Sequence, residues 1–213
     1  EYLRRSGDSR ERIDVAFVAE GYRQDEMDVF RRDCEESIGA MLSHEPFRSM
    51  ADRFNFVAVY SPSTDSGVSI PHQGVWKRTA ADSHFDTFYS QRYLTTLHLK
   101  RLHDLLSGIP YEHIVILANT DNYGGGGIFN SYLLSAAHHP SCKPVVVHEF
   151  GHSFAGLGDE YYYDDQYEST YPADTEPWEP NLTTLVDFSS KWADMMPAKA
   201  KIPTKPSGKN LYT

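Results

Sequence analysis

Apolar positions along the chain come in two kinds of run. Ile13 to Ala19 is short, continuous and rich in β-branched and aromatic residues, the pattern of a strand buried on both faces, and Glu20-Gly21 ends it. From Gln24 to Ser43 the residues Met27, Phe30, Cys34, Ile38, Met41 and Leu42 recur at steps of three and four, which predicts a helix with one apolar stripe. His44-Glu45-Pro46 breaks that stripe, and Phe54 to Tyr60 repeats the buried-strand pattern. Strand, helix and strand read as a βαβ unit on a largely parallel sheet. A charged lead-in (Arg4 to Arg12) precedes them.

Ser61 to Ser90 is long and irregular, with Pro62, Gly67, Pro71 and Gly74. Loops of this length inside a compact domain are usually functional or mobile, and Trp76, Phe85, Phe88 and Tyr89 are expected to pin it down. Leu94, Leu97, Leu102, Leu105 and Leu106 predict a second amphipathic helix over Arg92 to Ser107, closed by Gly108 and Pro110. Ile114 to Leu117 is a third buried strand. His98, His103 and His113 lack ligand-type spacing and read as surface or satisfied core histidines, and His138-His139-Pro140 reads as loop within a turn from Ala136 to Cys142. The four glycines Gly124 to Gly127 lack the Gly-Lys-Ser/Thr ending of a phosphate loop. They read instead as bare backbone running into an edge strand through Leu133, where another backbone approaches and pairs.

Pro144 suits the first turn of a further helix, which carries the chemistry. His148, Glu149 and His152 spell His-Glu-x-x-His. Residues i and i+4 lie about 6 Å apart along a helix, so two imidazoles can share one ion while the glutamate reaches a water beside it. That is the arrangement of zinc hydrolases, with Zn2+ lowering the water's pKa to roughly 7 and the carboxylate taking its proton. A catalytic zinc needs a third ligand. Gly156 and Gly158 can stop the helix and fold the chain back, and the next oxygen donors are Asp159, the first choice, and Glu160, the alternative. Gly151 inside the helix costs about 1 kcal/mol relative to Ala and implies close packing by another backbone. Asp159 to Pro180 is acidic, without Lys or Arg, and carries Tyr161, Tyr162, Tyr163, Tyr167, Tyr171 and Trp178. It fits a solvated loop, a substrate wall supplying a tyrosine to an oxyanion, or a Ca2+ site of clustered oxygens.

Composition narrows the partners. The 213 residues suffice for a sizeable core, and 40% hydrophobic with 13% aromatic residues describes a globular chain. A formal charge of −10 argues against nucleic acid and against an anionic membrane surface. No run approaches the roughly 20 apolar residues of a membrane span. Cys34 and Cys142 fit one disulfide or two free thiols equally well. The missing initiator Met and the Lys- and Pro-rich stretch Ala198 to Thr213 suggest a piece of a longer protein: a main catalytic subdomain over 1–158 and an irregular, incomplete part over 159–213.

His148 to Tyr161, with Tyr123 to Gly127, Asp65-Ser66-Gly67-Val68 and Thr87-Phe88-Tyr89, resembles the bacterial IgA-peptidase family of zinc metallo-endopeptidases. The resemblance spans most of the chain. It is also similar to the wider metzincin pattern, departing by one inserted residue before Gly156 and by Asp159 in place of a histidine. The resemblance implies an α/β domain: a mostly parallel twisted sheet with an antiparallel edge strand, flanking helices and an active-site helix. It implies His148 and His152 as zinc ligands and Glu149 as general base. It further implies an edge strand at Gly125, Gly126, Gly127 and Ile128 holding polypeptide substrate antiparallel. A Met turn at Asp194-Met195-Met196-Pro197 and a secreted, cell-surface or periplasmic location follow from the same source. The family name points to immunoglobulin A or another host protein. A non-catalytic peptide- or glycan-binding module that retains the metal site is the competing reading, and an amidase of small substrates a third.

Overall fold

The computed structural model describes residues 1–160 and 171–202. It divides into two compact units, Glu1–Ala155 and Gly156–Thr213. The first holds a six-stranded mixed sheet of β1 (Tyr2–Arg4), β2 (Ile13–Glu20), β3 (Phe54–Val59), β4 (His113–Ala118), β5 (Gly125–Ile128) and β6 (Tyr132–Ala136) in the order β1-β3-β2-β4-β6-β5. Strands β3, β2, β4 and β6 run parallel, and β1 and β5 close the two edges antiparallel. Helices α1 (Met27–Met41), α2 (Leu99–Leu105) and α3 (Cys142–Ala155) complete the unit.

The continuous apolar runs are explained by cover on both faces. Along β2, Val15, Phe17 and Ala19 pack with Phe30, Cys34 and Ile38 of α1 and with Val146 and Phe150 of α3. Ala16 and Val18 between them enter a second cluster with Leu102, Leu106 and Leu94. Period-two alternation therefore feeds two cores, each fully buried Val, Leu, Ile, Phe or Met side chain contributing about 1.5–3 kcal/mol. Cys34 and Cys142 are free thiols, and burial raises the pKa of both.

Four expectations are corrected. A strand that the sequence did not announce, β1, ends on Arg4, the first residue of the charged lead-in, and pairs with β3; at three residues it is too short to leave a pattern. The glycine run and the apolar residues after it are two strands, not one: β5 and β6 form a hairpin that turns at Asn130, whose φ is 55°. The predicted helix over Arg92 to Ser107 occupies only Leu99–Leu105. Before it, His84 and Thr95 exchange backbone hydrogen bonds of 3.0 and 3.2 Å, and Tyr132 Oη donates to the Thr96 carbonyl at 2.6 Å while accepting its N–H at 3.1 Å. These bonds need extended backbone, which β-branched Thr95 and Thr96 favour. Finally, of the aromatic residues expected to pin the long loop only Phe85 is buried, while Trp76, Phe88 and Tyr89 are exposed. Polar contacts join Val68, Ala81 and Phe85 in holding the loop. Glu20, fully buried at the end of β2, accepts from Thr79 Oγ1 (2.5 Å), Ala81 N (2.6 Å) and Ser83 N (2.8 Å).

The second unit has short 3-10 turns at Phe188–Ser190 and Ala193–Met195 and is tied together by polar groups. Lys191 Nζ donates to the carbonyls of Pro177 and Glu179, and Glu176 accepts from the Asp187 N–H at 3.0 Å. Met195, in the segment expected to form a Met turn, is 79% exposed. Tyr161, Tyr162, Tyr163 and Tyr167 of the acidic stretch, and the end of the Lys- and Pro-rich stretch, lie outside the described residues.

Candidate active site

Packing sets the rotation of α3. Val146, Phe150 and Ser153 point into the sheet, which leaves His148, Glu149 and His152 on the remaining face. Phe150 anchors that register: it is fully buried, 5.0 Å from the rings of Phe47 and His113 and stacked on Phe154 at 4.9 Å. Beneath it His113, at the start of β4, meets Ser153 Oγ at 3.0 Å through Nε2. Burial lowers the His113 pKa to about 4, so at neutral pH it is an uncharged, satisfied core histidine.

On the exposed side the two histidines converge. Their Nε2 atoms lie 2.9 Å apart and their rings meet edge-to-face with centroids at 4.4 Å. Two nitrogens about 2.0–2.1 Å from one tetrahedral ion lie roughly 3.3 Å apart, so a few tenths of an ångström of opening turns the pair into a chelate. Donor type and spacing fit a transition-metal cation. Asp159, the third donor expected from the sequence, lies four residues beyond the end of α3, after Gly156 turns with φ 66°. Among the described residues no separate group of metal-type side chains forms a calcium cluster. Glu160 is engaged elsewhere: its Oε1 accepts from Asn181 Nδ2 at 2.8 Å.

The glycine run lies flush against the same helix. A Cβ on Gly127 would fall 2.5 Å from the Glu149 carbonyl oxygen, 3.0 Å from Glu149 Oε2 and 3.0 Å from His152 Cβ. One on Gly125 would meet Val145 Cγ1 at 3.0 Å. On the opposite face, a Cβ on Gly124 would fall 2.4 Å from the Phe85 ring and 2.9 Å from the Arg92 carbonyl, and one on Gly126 would meet Thr95 Cγ2 at 3.3 Å. The four glycines thus let β5 slide between α3 and the Arg92–Thr95 segment, touching both.

The Gly124 carbonyl accepts from Ala136 N at 3.1 Å, so the alternation of an antiparallel pair turns the polar backbone groups of Gly125 and Gly127 away from β6. At Gly125 that outer N–H already donates to the Arg92 carbonyl, at 3.4 Å. Gly127 presents the next N–H and C=O of the outer edge, beside the Glu149 carboxylate. Ile128 follows with its side chain exposed.

A model of one family, IgA Peptidase M64, matches residues 2–213. The chain belongs to that family. It is therefore a member of a peptidase family, whose substrates are polypeptides. A search of curated proteins returns no match. No described helix is long and apolar enough to cross a membrane.

Two contributors were missed in the sequence. The Arg92–Thr95 segment supports the outer face of β5, hidden because Leu94 fits a helical stripe as well as a strand. Asn181 binds Gly158 and Glu160 across more than 20 residues, and a lone asparagine carries no such signal.

Proposed function

We propose that this peptidase is a zinc-dependent endopeptidase whose reacting groups are His148, His152, Asp159 and Glu149, with β5 as the substrate ledge. The observation that carries the reading is the joint placement of the converging histidine pair and the Glu149 carboxylate on one face of α3, with Gly127 in contact. The ion, when bound, lowers the pKa of a water and polarises the scissile carbonyl. His148 and His152 would supply the nitrogen ligands and Asp159 an anionic oxygen, three protein donors in all. Glu149 stands one residue from the first ligand and takes the proton of the attacking water, then returns it to the leaving amine nitrogen. The outer N–H and C=O of Gly127 pair with an extended substrate, which sets a peptide bond beside Glu149 without asking for a particular side chain. A ledge made of backbone suits a polypeptide better than a small amide, and immunoglobulin A or another host protein outside the bacterial cytoplasm is the substrate class that the family name suggests.

Glu149→Ala is expected to retain one zinc per chain while peptide hydrolysis falls by at least a hundredfold. Metal content is read by elemental analysis and cleavage by mass spectrometry of a mixed peptide library. Undiminished cleavage by Glu149→Ala removes Glu149 from its role. Saturable peptide binding without products, by the zinc-loaded native chain, establishes a binding module in place of an enzyme.

A further inference from the structure

The segment that carries Asp159 is held in an unusual way. The side-chain amide of Asn181 faces Gly158 like a neighbouring strand: Oδ1 accepts the Gly158 N–H at 2.8 Å and Nδ2 donates to the Gly158 carbonyl at 2.9 Å. The second proton of Nδ2 goes to Glu160 Oε1 at 2.8 Å. Both protons of the amide are used, and a flipped amide would set donor against donor, so the orientation is determined by the network. Gly158 packs closely as well: a Cβ there would fall 2.5 Å from Leu182 Cδ1 and 3.1 Å from its Cγ, so a larger residue would have to displace the Leu182 side chain.

These three bonds bracket one residue. The Gly158 carbonyl belongs to the peptide plane that enters Asp159, and Glu160 leaves it, so one amide restrains the backbone on both sides of Asp159. It also occupies Glu160, the neighbouring carboxylate that competes for the same role. We infer that Asn181 is a positioning residue that presents Asp159 as the third metal ligand and withholds Glu160. This rests on the proposed site of His148, His152 and Asp159. The residue does not touch the ion; it sets the angle at which an anionic donor is offered, as outer partners of metal ligands commonly do.

The test is zinc affinity of the full chain, measured on apo protein by competition with a chromophoric chelator, with no activity readout needed. Asn181→Ala is expected to weaken zinc binding about 10- to 100-fold, the range for loss of a supporting partner. The melting midpoint of the apo protein should stay within a few degrees. With Co2+ in place of zinc, the visible d–d bands of Asn181→Ala should shift in position or intensity, a change that lost folding stability alone does not produce. Asn181→Asp has the same size and keeps the acceptor for the Gly158 N–H, but turns an oxygen toward the Gly158 carbonyl and Glu160. It should weaken zinc comparably, and it serves if the alanine variant does not fold. Glu160→Ala should bind zinc within about threefold of the native chain, and Asp159→Ala far more weakly. Native affinity and an unchanged cobalt spectrum in both Asn181 variants, with Asp159→Ala impaired, overturn the role of Asn181 and leave the site intact. Native affinity in Asp159→Ala instead removes Asp159 from the site, and the positioning role falls with it.

Discussion

Gly127→Ala adds one methyl group at the tightest point between β5 and α3. No positive φ is involved at Gly127, so the backbone conformation admits alanine and the contact alone decides the outcome. The new Cβ would lie 2.5 Å from the Glu149 carbonyl oxygen, where carbon and oxygen normally keep at least about 3.2 Å, so a gap of roughly 0.7 Å must open. Neither side yields easily. The carbonyl is backbone within α3, whose rotation is locked by buried Phe150, and β5 is held by its four-residue ladder to β6. Behind β5, Thr95 Cγ2 already stands 3.3 Å from the Cβ position of Gly126. Overpacking of this kind costs about 1–3 kcal/mol of stability. The functional cost adds to this, because on the proposed mechanism the displaced ledge and the Glu149 carboxylate are the two parts that meet across the substrate. A misplacement approaching 1 Å is worth about a hundredfold in rate. The assay is kcat/KM on a cleaved peptide from the library, with zinc content and melting midpoint measured in parallel. Gly39→Ala is the control. It lies in α1 with nothing within 4 Å of its Cβ position, so it should stabilise by about 0.5–1 kcal/mol and leave kcat/KM unchanged. Native kcat/KM in Gly127→Ala, with zinc retained, would refute the claim that this contact sets the reacting geometry.

His113 makes stability pH-dependent. Its folded pKa is depressed to about 4 against 6.5 for the free side chain, so its contribution is fully present above pH 6.5 and is lost as pH falls toward 4. The slope approaches 1.4 kcal/mol per pH unit and the total about 3 kcal/mol, appropriate for a side chain only 4% exposed. His113→Phe, compared by urea unfolding from pH 4 to 7.5, should flatten that part of the profile; parallel profiles would contradict the assignment. Glu20→Gln keeps the shape but leaves one of three converging donors facing an amide N–H. It should cost about 1–3 kcal/mol and speed hydrogen exchange at Ser83, His84 and Thr95 before it affects β2 or β4. Uniform acceleration across the sheet would show that Glu20 supports the whole fold and not this loop.

What could be read from the sequence divides along a physical line. Strands β2, β3 and β4 were legible because cover on both faces produces continuous apolar runs, and α1 because one-sided burial writes a stripe. His-Glu-x-x-His was legible because a helix converts spacing directly into shared direction, and the 2.9 Å between the imidazoles is that conversion. Where one residue satisfies two patterns, the reading failed. Leu94 continues the leucine period of α2, yet it lies in extended backbone, and Thr95-Thr96 beside it was the local sign of a strand. The hairpin between β5 and β6 was marked by Asn130-Ser131 within an apolar run, a signal outweighed by the apolar residues around it. The glycines announced a close approach but not by what, since the identity of the neighbour is recorded in α3 and in Arg92–Thr95 and not at the glycine itself. Long-range polar contacts leave still less. Glu20 bonds to residues 59 to 63 positions away and Asn181 to residues 21 and 23 positions away, each through one side chain with no repeat to betray it. The chemistry of this chain is therefore written locally, on one helix. What places the ledge beside that helix is close packing at glycines, and what holds the segment carrying Asp159 is the single polar side chain of Asn181; only the folded chain brings either to its partners.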